Sequence, residues 1–82
     1  MLTNDIKRGT RIQLRNGWYA TMADNKRGNI RMAEVEGIVT EIGSIYAHDI
    51  IYAWVDGERK VIELTKAQVK MEIEENKRLK WW

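Results

Sequence analysis

The 82-residue chain predicts an all-β fold, a small barrel of five or six short strands, on three observations. Apolar and polar residues alternate with a period of two, the mark of a strand with one buried face. Glycines stand at the ends of the alternating segments, where a strand must turn back on its neighbour. No cysteine is present, so no disulfide or thiolate metal site can staple so small a chain, and packing must hold it.

The first strand is Arg11-Ile12-Gln13-Leu14-Arg15 and the second is Trp18-Tyr19-Ala20-Thr21-Met22, joined at Asn16-Gly17. A two-residue loop would set Trp18 opposite Arg15 and Ala20 opposite Gln13, mixing polar with apolar on one face. A three-residue loop, Arg15-Asn16-Gly17, sets Trp18 opposite Leu14 and Ala20 opposite Ile12, and all the apolar residues share a face. The pattern therefore predicts a type I turn followed by Gly17 in the left-handed region, a G1 bulge. Arg11, Gln13, Arg15, Tyr19 and Thr21 then point to the other face.

Asp24 to Asn29 reads as a polar loop, and Ile30 to Val39 as a third strand whose alternation slips near Gly37, the sign of a bulge or sharp bend. Ile42 to Asp49 reads as irregular, with Gly43-Ser44 as a turn. Ile50 to Val55 is β-prone, Asp56-Gly57 is a second hairpin turn, and Arg59 to Leu64 returns as a strand. Thr65 and Gln68 have the spacing of a capping box. Beyond them, Val69, Met71 and Ile73 alternate with Lys70, Glu72 and Glu74. The reading is one 3₁₀ turn at 65–68 and a last strand at 69–74; a helix over 66–80 is the alternative, because residues 74–80 are good helix formers. Residues 75–80 continue as a short C-terminal helix or fray. One domain, 1–82, follows, with its core in 6–74 and a polar tail in 75–82. Short strands, glycine hairpins and a 3₁₀ turn before the last strand together describe an SH3-like barrel.

Two resemblances accompany this reading. The segments Gly9 to Trp18 with Ala20, Asp24 to Asn29, Glu34-Val35-Glu36-Gly37 and Gly43 to Ile50 resemble small uncharacterised proteins of tailed bacteriophages, notably phages of marine bacteria. The likeness covers residues 6–68. It implies a phage origin and a host bacterial cytoplasm, and it assigns no residue a role. Ile6, Gly9, Ile12, Leu14 and Gly17 are also similar to the opening of the KOW motif, an SH3-like hairpin unit. Ala20-Thr21-Met22 stands where that motif has a later glycine.

No apolar run approaches the roughly 18 residues of a membrane span. Met1 to Asp5 lacks an apolar segment behind a basic start, so a cytoplasmic setting is expected rather than export. Net charge is +2, but residues 1–31 carry +5, residues 32–64 carry −5 and residues 65–82 carry +2. Two electrostatically different faces follow if the fold keeps these regions apart.

No enzyme is expected. There is no cysteine nucleophile, no phosphate loop and no dinucleotide fingerprint. The one histidine, His48, adjoins Asp49, and neighbours on an extended chain point apart. One imidazole among scattered carboxylates is a poor metal set, so no catalytic residue, cofactor or metal is assigned. His48 and Asp49 read instead as loop residues that hydrogen-bond backbone.

The positive signal is basic and aromatic. Arg11, Arg15 and Tyr19 share the non-core face of the first hairpin, Lys26 and Arg27 follow in the loop, and Arg31 lies on the next strand. Cationic side chains beside a stacking ring suit phosphates and bases, and equally a protein partner. Trp18 and Trp54 read as core or half-buried. Trp81 and Trp82 either fold back over the barrel end or form an interface with a second subunit. The leading expectation is a non-enzymatic module that binds a protein partner through a groove or an uncovered strand edge. A nucleic-acid-binding module using the basic hairpin is the alternative, and a minor structural component of a virion is a third.

Overall fold

The alternating segments form six antiparallel strands. They are β1 (Arg11–Leu14), β2 (Tyr19–Met22), β3 (Ile30–Glu36), β4 (Thr40–Tyr46), β5 (Ile50–Val55) and β6 (Glu58–Val61). Single 3₁₀ turns occupy Thr3–Asp5 and Ala47–Asp49, and helix α1 (Lys66–Leu79) follows the sheet. These elements come from a computed structural model that describes residues 1–79, with side chains through Glu75. Trp81 and Trp82, expected at a barrel end or an interface, lie outside the described residues. The strands make one sheet in the order β4-β3-β2-β1-β5-β6. The two outermost strands do not meet, so the sheet is open rather than closed on itself.

The first hairpin takes the register that keeps its apolar residues together, with Ile12 opposite Ala20 and Arg11 opposite Thr21. The Gly17 amide donates to Leu14 O (2.9 Å), and Gly17 has φ +91°, a conformation a side chain resists. Asp56 (φ 53°) and Gly57 (φ 80°) make a two-residue primed turn between β5 and β6. Ile12, Leu14, Ala20, Met22, Ala33 and Ala53 line the inner face, and Ile6 from the N-terminal segment seals it.

That segment is held by an unexpected residue. Arg31 alternates in phase with Ala33 on β3 and points inward, with no exposed surface. Its guanidinium donates to Thr3 O (2.7 Å), to Ile6 O (2.8 Å) and to the Asp24 carboxylate (2.7 Å). A buried cation survives only with such a complete set of partners. Burial works to raise the Asp24 pKa, but hydrogen bonds from the Met32 amide, Arg31 and the Lys26 amide outweigh it and hold the group below its usual value.

Two segments depart from the pattern read along the chain. Residues 42–46, expected to be irregular, continue β4, with Gly43-Ser44 inside the strand instead of at a turn. The chain turns earlier, at residues 37–39, at the bend expected near Gly37, and the Trp18 indole lies so close to Gly37 that no Cβ would fit there. Residues 69–74 are helix, not strand. Gln68 N donates to Thr65 Oγ1 (3.3 Å) and Thr65 N to Gln68 Oε1 (3.0 Å), a closed capping box that starts α1. The helix turns Gln68, Glu72 and Glu75 toward the body, leaving Val69 and Ile73 exposed.

Candidate functional site

The six residues expected to form one cationic surface are dispersed. Arg11 and Tyr19 do meet on the outer face, with the guanidinium 4.9 Å from the ring centroid, and Tyr19 lies 5.7 Å from Trp54. Cross-strand pairing explains this, since Arg11 faces Trp54 and Gln13 faces both Tyr19 and Tyr52. Glu36 forms an ion pair with Arg11, so its charge is already matched. Arg15 turns away from that face, donating to His48 O (2.9 Å) and pairing with Glu72 (3.1 Å). Lys26 and Arg27 are exposed in the loop between β2 and β3. Arg31 reaches no surface, and its assignment to a binding face is corrected: it is a structural cation. Trp54 is half-buried as expected, whereas Trp18 keeps much of its ring exposed beside Gly37.

A different feature is continuous. Strand β4 runs for seven residues beside β3 without a register break, from Ile30 opposite Tyr46 to Glu36 opposite Thr40. Ala47 N bonds Asn29 O (2.8 Å), which sets the alternation of the ladder. Thr40, Ile42, Ser44 and Tyr46 therefore aim their N–H and C=O groups away from β3. Among the described residues, no strand pairs with that side. Ile38 is 97% exposed, Val39 62% and Ile42 67%, so the edge and the corner that feeds it are apolar. Tyr46 helps line two depressions. One of about 330 Å³ is lined by Leu14, Asn16, Ser44 and Ile45, and one of about 200 Å³ by Ile30, Ser44 and Ile45. No lysine or arginine occurs from residue 32 to residue 58, while Glu34, Glu36 and Glu41 all lie on β3 or β4.

No family model, curated protein or solved structure matches this chain. Among the described residues, no helix is long and apolar enough to cross a membrane.

Beside the edge lies a cluster that the sequence alone did not disclose. The chain is not extended at His48 and Asp49. The 3₁₀ turn there brings His48 Nε2 within 3.8 Å of Asp49 Oδ1, overturning the expectation that the two point apart. Glu75, from α1, bonds the same nitrogen. The imidazole stacks on Tyr46 with centroids 5.1 Å apart, and its side chain is 1% exposed. Its Nδ1 is buried without a partner, so the proton belongs on Nε2, facing Glu75. Burial raises the Asp49 pKa; His48 and Arg15 oppose that rise, and Glu75 and Glu72 add to it. One signal could have revealed the cluster. If the Thr65–Gln68 capping box is believed, Gln68, Glu72 and Glu75 fall on one helical stripe, and a polar stripe facing a body requires polar partners there.

Proposed function

We propose that the chain is a non-enzymatic, SH3-like binding module that takes up an extended segment of a protein partner as a seventh strand along β4. The observation that carries this reading is the unprotected edge. Sheet edges are normally blunted by short length, lysine, proline, a bulge or a cover. β4 has seven residues, an unbroken register, Glu41 as its single charge, and exposed isoleucine. Strand addition draws affinity from main-chain hydrogen bonds and specificity from alternate side chains seated in pockets. The outward amides and carbonyls at Thr40, Ile42, Ser44 and Tyr46 supply the first, and the two depressions at Tyr46 supply the second. The glutamates around the edge favour a partner with alternating apolar residues and interspersed lysine or arginine.

The nucleic-acid reading has less support. Arg11 is matched by Glu36, Arg15 by Glu72 and Arg31 by Asp24, so three of the five cations expected on one binding face are engaged with carboxylates and do not share a surface.

A displayed library of random extended peptides, selected on the immobilised chain, tests the proposal. Selected peptides should alternate apolar residues with basic ones and should slow hydrogen exchange in β4. Ser44→Pro removes one outward donor without touching the backbone bonds to β3, losing there only the weak Ser44 Oγ–Met32 Sδ contact, and should weaken the peptides at least about fivefold, the worth of one hydrogen bond. Peptides that bind Ser44→Pro as tightly, or that protect another strand, would refute strand addition at β4.

A further inference from the structure

We propose that His48, Asp49 and Glu75 form a binding site for one divalent transition-metal ion of the zinc class. The donor atoms of the three side chains all lie within 4.8 Å of one another. A tetrahedral ion with ligands at about 2.0–2.2 Å holds its donors roughly 3.4 Å apart. The 3.8 Å between His48 Nε2 and Asp49 Oδ1 is close to that spacing.

The second observation is the state of His48. The imidazole is almost wholly buried, and no polar group outside the cluster bonds to it. Nε2 is aimed at Glu75 and Asp49, and Nδ1 has no partner at all. Nε2 is the ring's one engaged atom, and an ion among the three side chains would take it as a ligand in place of the Glu75 hydrogen bond, with the ring proton then carried on Nδ1.

The third observation is charge. Asp49, Glu72 and Glu75 converge here against a single guanidinium, Arg15. Arg15 is engaged mainly with Glu72 (3.1 Å) and with His48 O (2.9 Å), and it lies 3.6 Å from Asp49. Glu72 takes most of that guanidinium, whereas Asp49 meets it only at 3.6 Å and Glu75 meets only His48, so carboxylates outnumber cations around Nε2. One nitrogen and two carboxylate oxygens suit zinc, cobalt, iron or manganese. Magnesium and calcium prefer oxygen alone, and copper(I) prefers sulfur. Three protein ligands leave a coordination position for water or a small anion.

The site joins the 3₁₀ turn after β4 to helix α1, so an ion there would clamp the helix to the body. This inference does not depend on strand addition at β4, and either can fail alone.

Tag-free protein, stripped with chelator, is titrated by calorimetry with zinc and by absorption with cobalt. The expected result is one ion per chain, visible cobalt bands, and a higher melting temperature with zinc. Glu75→Gln and Asp49→Asn alter partly exposed side chains and should keep the fold, as circular dichroism will verify. Each should weaken zinc at least about tenfold, the loss that even an outer-shell partner of a metal ligand produces. No saturable binding, or unchanged affinity in both variants, overturns the site. Magnesium binding as tightly as zinc overturns the assignment of metal class.

Discussion

The two edges of this sheet are built in opposite ways. β6 is four residues long, carries Glu58, Arg59 and Lys60, and has an internal Glu58–Lys60 pair at 3.0 Å. The chain just past it is covered by the N-terminal residues. The Met1 amine donates to Val61 O (3.2 Å), Glu63 N donates to Met1 O (2.8 Å), and Leu2 bridges to Glu63. β4 is nearly twice as long, carries one charge and has no cover among the described residues. The same fold therefore knows how to protect an edge and does so on one side only. An apolar strand left open beside a protected one is better explained by use than by accident.

The largest effect comes from undoing the protected side. Arg31 pins Thr3 and Ile6, and through them the residues that cover the β6 edge. Arg31→Met removes that pin and leaves Asp24 buried without its cation, which should cost about 3–5 kcal/mol in urea unfolding. Hydrogen exchange should then rise at residues 61–63 while the outward amides of β4, already open, change little. Acid should act in the same direction. Asp24 titrates below its unfolded value of 3.8, so its contribution is complete above that pH and is lost as pH falls through the folded value. Urea midpoints measured downward from pH 5 should fall in the wild type, and that component should be missing in Asp24→Asn.

A smaller effect tests the helix that shares this anchorage. Gln68 closes the cap of α1 and also donates to Thr3 Oγ1 (2.6 Å), which ties the helix to the covering segment. Thr65→Ala should cost about 1 kcal/mol and reduce helical circular dichroism, without altering the amides of β4. If β4 amides open together with α1, the two sides of the sheet are not independent and the contrast between its edges loses its meaning.

The same contrast explains what could be read along the chain. The first hairpin was legible because Ile12, Leu14, Ala20 and Met22 face a real core while Gln13 and Thr21 face outward, so only one register satisfies both strands. β4 was not. Its inner positions are Gly43 and Ile45 and its outer ones include Ile42 and Tyr46, so apolar residues fall on both faces and the alternation vanishes. A strand that exposes apolar side chains breaks the assumption on which alternation is read. α1 was hidden for the complementary reason. Its body-facing stripe is Gln68, Glu72 and Glu75, so the apolar residues Val69, Met71 and Ile73 described the wrong period. Arg31 was placed outside by its charge, although its phase with Ala33 and Val35 puts it inside. The His48–Asp49–Glu75 cluster was not read because Glu75 lies 27 positions from His48, and only the helix that the alternation argued against brings it there.

The smallest expected effect on stability is the most telling about the open edge. Ile42 is two-thirds exposed, and its backbone donor and acceptor face away from β3. Ile42→Lys places on β4 the residue that proteins use to blunt an edge, much as Lys60 stands on β6. Because the side chain already lies in water, the unfolding free energy should move by no more than about 0.5 kcal/mol. Peptide uptake should nevertheless fall, since a partner strand would have to seat against a solvated cation in place of an apolar side chain. If instead Ile42→Lys unfolds the sheet, β4 is already covered in solution and the apparent openness of this edge is not a docking surface. If it leaves both stability and peptide binding unchanged, the apolar character of β4 is incidental and the difference between the two edges carries no functional meaning.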